Sequence, residues 1–182
     1  DDDVQMAART FDWLMENGTW PTEWAPHMVF MAHAEWMQHG DTAWLARRYE
    51  SVKRKTLLDR VADDSLVRSG PQHQKNTDIV DWPPAERDCF VFTEINTVVN
   101  AFYIEAMHRM AEMAEAVGKQ DEAAAFAARH ATARKAFQDT LLVGQAGLFR
   151  DGVGTDHHSL HANLFALAFD LVPEDNVPKV AS

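Results

Sequence analysis

The sequence predicts an all-α protein of paired antiparallel helices, and three observations carry that expectation. Apolar residues recur at helical spacing through nearly the whole chain. Glycines stand where helices should end, with capping residues just after them. The two stretches that break the rhythm are rich in proline or glycine and read as loops between helices. A first helix is predicted near Asp3 to Glu16. A second, from about Trp24 to Gln38, ends at Gly40, and Asp41 then caps a third carrying Leu45, Tyr49, Val52 and Thr56. The strongest helix follows Asn96, where Val98, Val99, Phe102, Tyr103, Ala106, Met107, Met110, Ala114 and Val117 form one broad apolar face, with Glu105, Arg109 and Glu112 opposite. Gly118 is placed to end it and Asp121 to cap an alanine-rich successor whose stripe is Phe126, His130, Phe137 and Leu141. A last helix is expected near Ser159 to Asp170.

Between these lie the two irregular stretches. Residues 63–92 are polar and interrupted by Gly70, Pro71, Pro83 and Pro84, and so long a loop in a compact domain is usually functional or disordered. Trp82 inside it argues against disorder, since a large aromatic wants burial or a ligand to stack on. The shorter break, Gly144 to His158, holds Gly144, Gly147, Gly152 and Gly154 around Leu148-Phe149-Arg150 and suits a small hairpin. Gly40 and Gly118 end similar helices but lie 78 residues apart across an irregular loop, which no short fixed repeat generates. Hairpins of unequal loop length fit a toroid of paired helices whose loops gather at one rim to build a site.

Composition bounds the function. The 182 residues are 46% hydrophobic and 25% charged, a globular mix for one domain, and the net charge of −11 works against a grip on nucleic acid or anionic lipid. Apolar stretches are broken well before the 18 or so residues that a membrane span requires. The single Cys89 excludes an internal disulfide and leaves the compartment open. The chain opens at Asp1-Asp2-Asp3 without Met and stops just after a helix start at Pro173-Glu174-Asp175, so we expect a segment, residues 1–182, of a longer domain truncated at both ends.

The densest chemistry is Asp78-Ile79-Val80-Asp81-Trp82-Pro83-Pro84-Ala85-Glu86-Arg87-Asp88. Carboxylates, a guanidinium and an indole on a proline-stiffened loop offer fixed acceptors for hydroxyls beside a flat apolar face, which suits a sugar. The competing reading is a solvated acidic loop in which Trp82 plugs the core and Arg87 pairs with Asp88 or Glu86. Trp20-Pro21-Thr22-Glu23-Trp24 opens the second helix. Its indoles are either an aromatic pocket wall beside Glu23 or two core tryptophans on a helix capped by Thr22 or a neighbour. In Asp156-His157-His158-Ser159-Leu160-His161 the adjacent imidazoles point to different sides of any regular element, and no HExxH or cysteine partner accompanies them. We therefore expect a histidine at a pocket rim rather than zinc. No phosphate loop, nucleophile elbow or catalytic-thiol context is present.

At these residues the sequence resembles the catalytic domain of bacterial alpha-L-rhamnosidases, glycoside hydrolases with an (α/α)6 barrel. The likeness rests on Asp81-Trp82-Pro83-Pro84-Ala85-Glu86-Arg87-Asp88, on Asn96-Thr97-Val98-Val99-Asn100-Ala101-Phe102-Tyr103, and on Met113-Ala114-Glu115-Ala116-Val117-Gly118. Trp24 with Gly40-Asp41, and His158-Ser159-Leu160-His161-Ala162-Asn163 leading to Leu171-Val172-Pro173, extend it over most of the chain. The resemblance implies about half of an (α/α)6 toroid and inverting hydrolysis of a terminal alpha-L-rhamnoside, with the rest of the same polypeptide completing the barrel and no cofactor. A periplasmic or extracellular place suits such an enzyme, with the cytoplasm left open.

The family's proton-donating Glu sits in an Asp/Glu-Arg-Leu-Gly-Trp stretch upstream of the matched region, and its general base lies beyond Leu171-Val172-Pro173. Both carboxylates are then expected outside this chain, and Glu86-Arg87-Asp88 only shares letters with the donor stretch. Many members have Gly where this chain has Val80, which shifts or tightens that turn. The resemblance implies that the segment supplies a sugar platform: Trp24 and Trp82 stacking on the deoxysugar, Asp81 recognising hydroxyls, and Glu86, Arg87 and His161 beside them. The alternative is a noncatalytic helical-repeat scaffold that binds a protein or peptide along a concave face.

Overall fold

The computed structural model describes residues 2–182, so Asp1 of the opening acidic run lies outside the described residues. The helices are α1 (Asp2–Asn17), α2 (Trp24–His39), α3 (Thr42–Lys53), α4 (Pro71–Asn76), α5 (Thr97–Ala116), α6 (Gln120–Leu141), α7 (Leu160–Ala168) and α8 (Val177–Val180). One antiparallel hairpin, β1 (Leu142–Val143) with β2 (Leu148–Phe149), occupies the glycine-rich stretch as expected, pairing Leu142 with Phe149 and Val143 with Leu148. Among the described residues no helix is long and apolar enough to cross a membrane.

The helices stack as an inner row and an outer layer. α2 packs on α5 and α5 on α7, while α1 and α3 lie against α2, and α6 runs along α5 in the most extensive pairing of the molecule. α5 therefore has neighbours on nearly every side. Its residues from Thr97 to Met107 are all buried, as are Met110, Met113 and Ala114. The expectation that Glu105 lies on a solvent face is corrected for this reason: Glu105 is buried, and it accepts a 2.6 Å bond from Arg109 Nε that neutralises it. Burial still pushes its pKa up against the pull of Arg109.

Punctuation follows the sequence closely at most helix ends. Asp41 caps α3 by accepting from Trp44 N at 2.8 Å, Asn96 caps α5 by accepting from Val99 N, and Ser159 caps α7 by accepting from Ala162 N. Gly40 and Gly118 take the left-handed conformation that ends α2 and α5. Two predicted caps are corrected. α6 starts at Gln120, so Asp121 sits in its first turn, where its charge suits the helix dipole but caps nothing. Thr22 does not cap α2: Glu23 holds that position without a side-chain cap bond, and the Thr22 hydroxyl pairs with that of Thr77 at 3.0 Å. α7 is also shorter than expected, leaving the helix at Phe169, with Asp170 at a φ of 55°, and α3 ends at Lys53 short of Thr56, whose hydroxyl donates to the Lys53 carbonyl at 2.8 Å.

The long loop is more ordered than its composition suggests. It contains α4 and a 3-10 turn over Pro84–Glu86, and Val67 near its start bridges back to Val61 just before it. Asn100, buried on α5, holds it from below: its side chain accepts from Val67 N at 2.7 Å and donates to Val67 O at 3.2 Å. The core-forming reading of the Met and Phe residues on α5 holds, with Met107, Met110, Met113 and Phe102 all buried.

Candidate functional site

The N-terminal ends of α2, α5 and α7 converge on the two loops, and buried polar groups lock the junction. Asn96 bridges to Gly152, Thr97 N donates to Asp151 O at 2.8 Å, and the Thr97 hydroxyl donates to Arg150 O. Gly152 has no room for a side chain, since a Cβ would collide with Thr93 Oγ1 and come within 2.6 Å of Ile95 O. Asp151, wholly buried, is the hub. One carboxylate oxygen accepts from Ser159 N at 2.9 Å; the other accepts from Val91 N at 2.8 Å and pairs with His157 Nδ1 at 2.7 Å. It thereby ties the long loop to the start of α7. Asp88 adds a second tie by accepting from Leu160 N at 2.7 Å.

Over this frame lies the loop singled out in the sequence. Its floor is apolar: Val80, Phe90, Val98, Phe102 and Ala162 are buried together, edged by Phe30, Phe92, Phe165 and Phe169. Phe102 is the centre, with ring centroids 5.0 Å from His27, 4.9 Å from Phe165 and 5.2 Å from Phe169. His27 stays exposed on its outer side, and partial desolvation against Phe30 and Phe102 pushes its pKa down and favours a neutral ring. Val80 sits in the left-handed region at φ 60°, and Asp81 N closes a three-residue turn by donating to Ile79 O. The Trp82–Pro83 bond is cis.

Four of the sequence-predicted residues are brought together. The Asp81 carboxylate accepts from its neighbour Trp82 N at 2.7 Å through one oxygen and meets His161 Nε2 at 2.9 Å through the other. An ionised carboxylate only accepts, so His161 carries its proton on Nε2. Arg87 Nε donates to Asp81 O at 2.8 Å, and its guanidinium lies over Phe92, 5.5 Å from the ring centroid. The pairing of Arg87 with Asp88 or Glu86 is thus replaced by a bond that fixes the Asp81 backbone. The His161 hydrogen bond, helped by the Trp82 amide, holds the Asp81 carboxyl below the usual carboxylate range, so it is a full-time acceptor near neutral pH with half its side chain open to solvent.

Trp82 is 65% exposed, which overturns the core-plug reading. Trp20 and Trp24, at 60% and 48% exposed, are not core tryptophans either, and Trp20 Nε1 donates to Asn76 O at 2.9 Å. The physical reason is that Pro26, Met28, Val29 and Ala32 already fill the inward face of α2. Trp24 follows Glu23, whose carboxylate accepts from the amides of Ile79 and Val80, but among the described residues its own indole forms no hydrogen bond or ring contact with Asp81 or Trp82. Glu86 stays apart, exposed in its 3-10 turn. His157 and His158 diverge as expected: His157 binds Asp151, while His158 Nδ1 is buried without a partner. Among the described residues no group of three or more His, Cys, Asp or Glu is placed to hold a metal ion.

Sequence reasoning passed over Asp151, an ordinary acid in a glycine-rich stretch with no local signal of its role. It noticed Glu23 only as a neighbour of two indoles, although a carboxylate just ahead of a helix and far in sequence from any cationic partner was a signal available to it. The surface these residues make has a flat indole beside an anchored carboxylate with free lone pairs.

Similarity to known proteins agrees with this architecture. The family described as bacterial alpha-L-rhamnosidase 6 hairpin glycosidase domain matches residues 6–182. Among solved structures, a rhamnosidase from Klebsiella oxytoca with rhamnose bound superposes with a TM-score of 0.74 at 15% identity, over 89% of this chain and 30% of that one. A GH78 family rhamnosidase of Bacillus sp. GL1 superposes with a TM-score of 0.72 at 19% identity, over 88% of this chain and 17% of that one. The chain thus spans less than a third of the length of these structural relatives. No curated protein matches it.

Proposed function

Because the chain belongs to the bacterial alpha-L-rhamnosidase six-hairpin glycosidase family, we propose that it is one segment of an (α/α)6 catalytic domain and supplies the sugar-binding platform of an enzyme that hydrolyses terminal alpha-L-rhamnosides. The observation that carries the reading is an exposed indole, Trp82, next to a carboxylate, Asp81, that His161 and the Trp82 amide hold ionised and in place. The indole offers its face to the C–H and methyl surface of a deoxysugar, and Asp81 accepts from ring hydroxyls with the lone pairs that its protein partners leave free. Trp24 extends the apolar wall, Arg87 and His161 steady Asp81 from either side, and Glu86 lies at the outer edge. The rhamnose held by the Klebsiella oxytoca relative supports this choice of sugar. A protein-binding repeat scaffold would leave that pair without a task.

The chemistry is inversion. A carboxylic acid protonates the leaving oxygen while a carboxylate on the opposite face of the sugar activates water, the two standing roughly 6.5–9.5 Å apart. Both are assigned to the remainder of the polypeptide, and the platform's part is to hold the sugar so that water meets the anomeric carbon in line with the breaking bond, whose leaving oxygen the acid protonates. The test is hydrolysis of p-nitrophenyl alpha-L-rhamnoside by the full-length protein, with the anomer followed by NMR. Beta-rhamnose as first product is expected, and no hydrolysis or a first-formed alpha product refutes the reading. The 182-residue chain by itself should turn over none; turnover by it would make Glu86 and Asp88 the acid and base instead.

A further inference from the structure

We propose that Glu23 is the positioning residue of the Asp81–Trp82 platform, its buried carboxylate clamping the backbone from which both side chains project; this rests on the platform reading above. Glu23 is 4% exposed at the start of α2, yet its partners lie more than fifty residues away in sequence. Oε1 accepts from Val80 N at 3.0 Å and from Ile79 N at 3.2 Å, and Oε2 lies 3.3 Å from the same Ile79 amide. Two consecutive amides aimed at one carboxylate form a small anion-binding cup in the backbone, and Glu23 fills it.

The cup exists only while Val80 stays at φ 60°. A β-branched residue is strained there, where glycine would be at ease. What holds it is visible on both sides of the backbone. The Val80 side chain is trapped among Phe90, Val98, Phe102 and Ala162, and its amide is gripped by Glu23. The next residue is Asp81 and the one after is Trp82, so any relaxation of this turn swings the carboxylate away from His161 and re-aims the indole.

The charged groups around this position pull in opposite directions, the buried Asp78 carboxylate disfavouring an ionised Glu23 and the Arg60 guanidinium favouring it. Asp78, buried beside it, accepts from Asn96 Nδ2 at 3.3 Å, and the half-buried Arg60 lies within electrostatic reach of both acids while donating to Ser69 Oγ at 2.9 Å. Burial, helped by the Asp78 charge, pushes the Glu23 pKa up, and the amides of Val80 and Ile79 oppose that shift by favouring the charged form. Glutamine can keep the two bonds that Oε1 accepts, but it loses the charge and sets an N–H pair against the Ile79 amide where Oε2 stands.

The experiment compares Glu23→Gln, Glu23→Ala and Glu23→Ala/Val80→Gly in the full-length protein, with Trp82→Ala as the platform control. Amide exchange of residues 78–82, rhamnose affinity, and KM and kcat on the aryl rhamnoside are measured. Both single variants should speed exchange of residues 78–82 by about tenfold or more while exchange in α5 is unchanged. Glu23→Ala should raise KM about tenfold with kcat altered much less, and Val80→Gly in that background should restore part of the loss because glycine adopts the turn unaided. Should Glu23→Ala not fold, Glu23→Gln, which keeps the volume, decides the matter. Unchanged exchange and affinity in a protein that binds rhamnose and is weakened by Trp82→Ala would overturn the positioning role alone. Absence of rhamnose binding by the wild type would overturn the platform, while the exchange data would still judge the clamp.

Discussion

Truncating Trp82 to alanine separates a platform from a core residue in one variant. With 65% of its surface exposed, only about a third of an indole side chain's roughly 150–250 Å2 is withdrawn from water. At about 25 cal/mol per Å2 that contributes at most about 1–2 kcal/mol to stability. A fully buried indole would cost about 3–5 kcal/mol, cavity included. The backbone bond from Trp82 N to Asp81 survives the change, so the loop keeps its anchor. Loss of an aromatic anchor from a binding surface costs about 2 kcal/mol or more, near thirtyfold in affinity. Denaturant unfolding and rhamnose titration of the full-length wild type and Trp82→Ala supply both numbers. The expected result is a stability change under about 2 kcal/mol with affinity reduced about thirtyfold. A loss above about 3 kcal/mol with normal affinity in the folded fraction would refute the reasoning and return the indole to a packing role.

Two further perturbations probe the frame. Asp151→Ala strips three donors of their acceptor at the junction of the loops with α7, and two stranded backbone amides cost about 3 kcal/mol or more; denaturant unfolding measures it, and a cost below about 1 kcal/mol would deny the hub its role. Glu122, hydrogen-bonded by Lys119, Lys53 and Tyr49, has its pKa lowered to about 2. A carboxylate depressed in the folded state stabilises above its ordinary value of 4.5 and loses that contribution as pH falls towards about 2. Solvent screening at this surface cluster leaves about 1 kcal/mol. The gap in stability between wild type and Glu122→Gln should therefore be present at neutral pH and close through that acid window. A gap that stays constant down to pH 2 would refute the assignment.

The helices and their ends were legible because their causes are local. Apolar spacing alone marks α5, and Asn96, Asp41, Ser159, Gly40 and Gly118 act within a turn of where they stand. The family resemblance was carried by the same local strings, and it pointed to Asp81 and Trp82. What stayed illegible depends on partners far along the chain. Whether Trp20, Trp24 and Trp82 are core or surface turns on how much of each helix face and loop is covered by other elements, and their own neighbours in sequence were compatible with either. Glu105 looked solvent-facing because its helix period is polar on that side, yet α5 sits in the middle of the row and has almost no outside.

By itself, then, the sequence determined the all-α class, the main helices and most of their caps, the hairpin and the loop that bears Asp81 and Trp82, since propensity, capping and periodicity act over a few residues. Only the tertiary structure decided that Asp81 meets His161 across eighty residues, that Asp151 joins the loop to α7, and that Glu23 holds Val80 in a turn a valine does not choose for itself. Those contacts exist because α2, α5 and α7 bring their N-terminal ends together, and that convergence comes from burying the Phe102 cluster between them, a long-range packing cause that no short stretch of residues encodes.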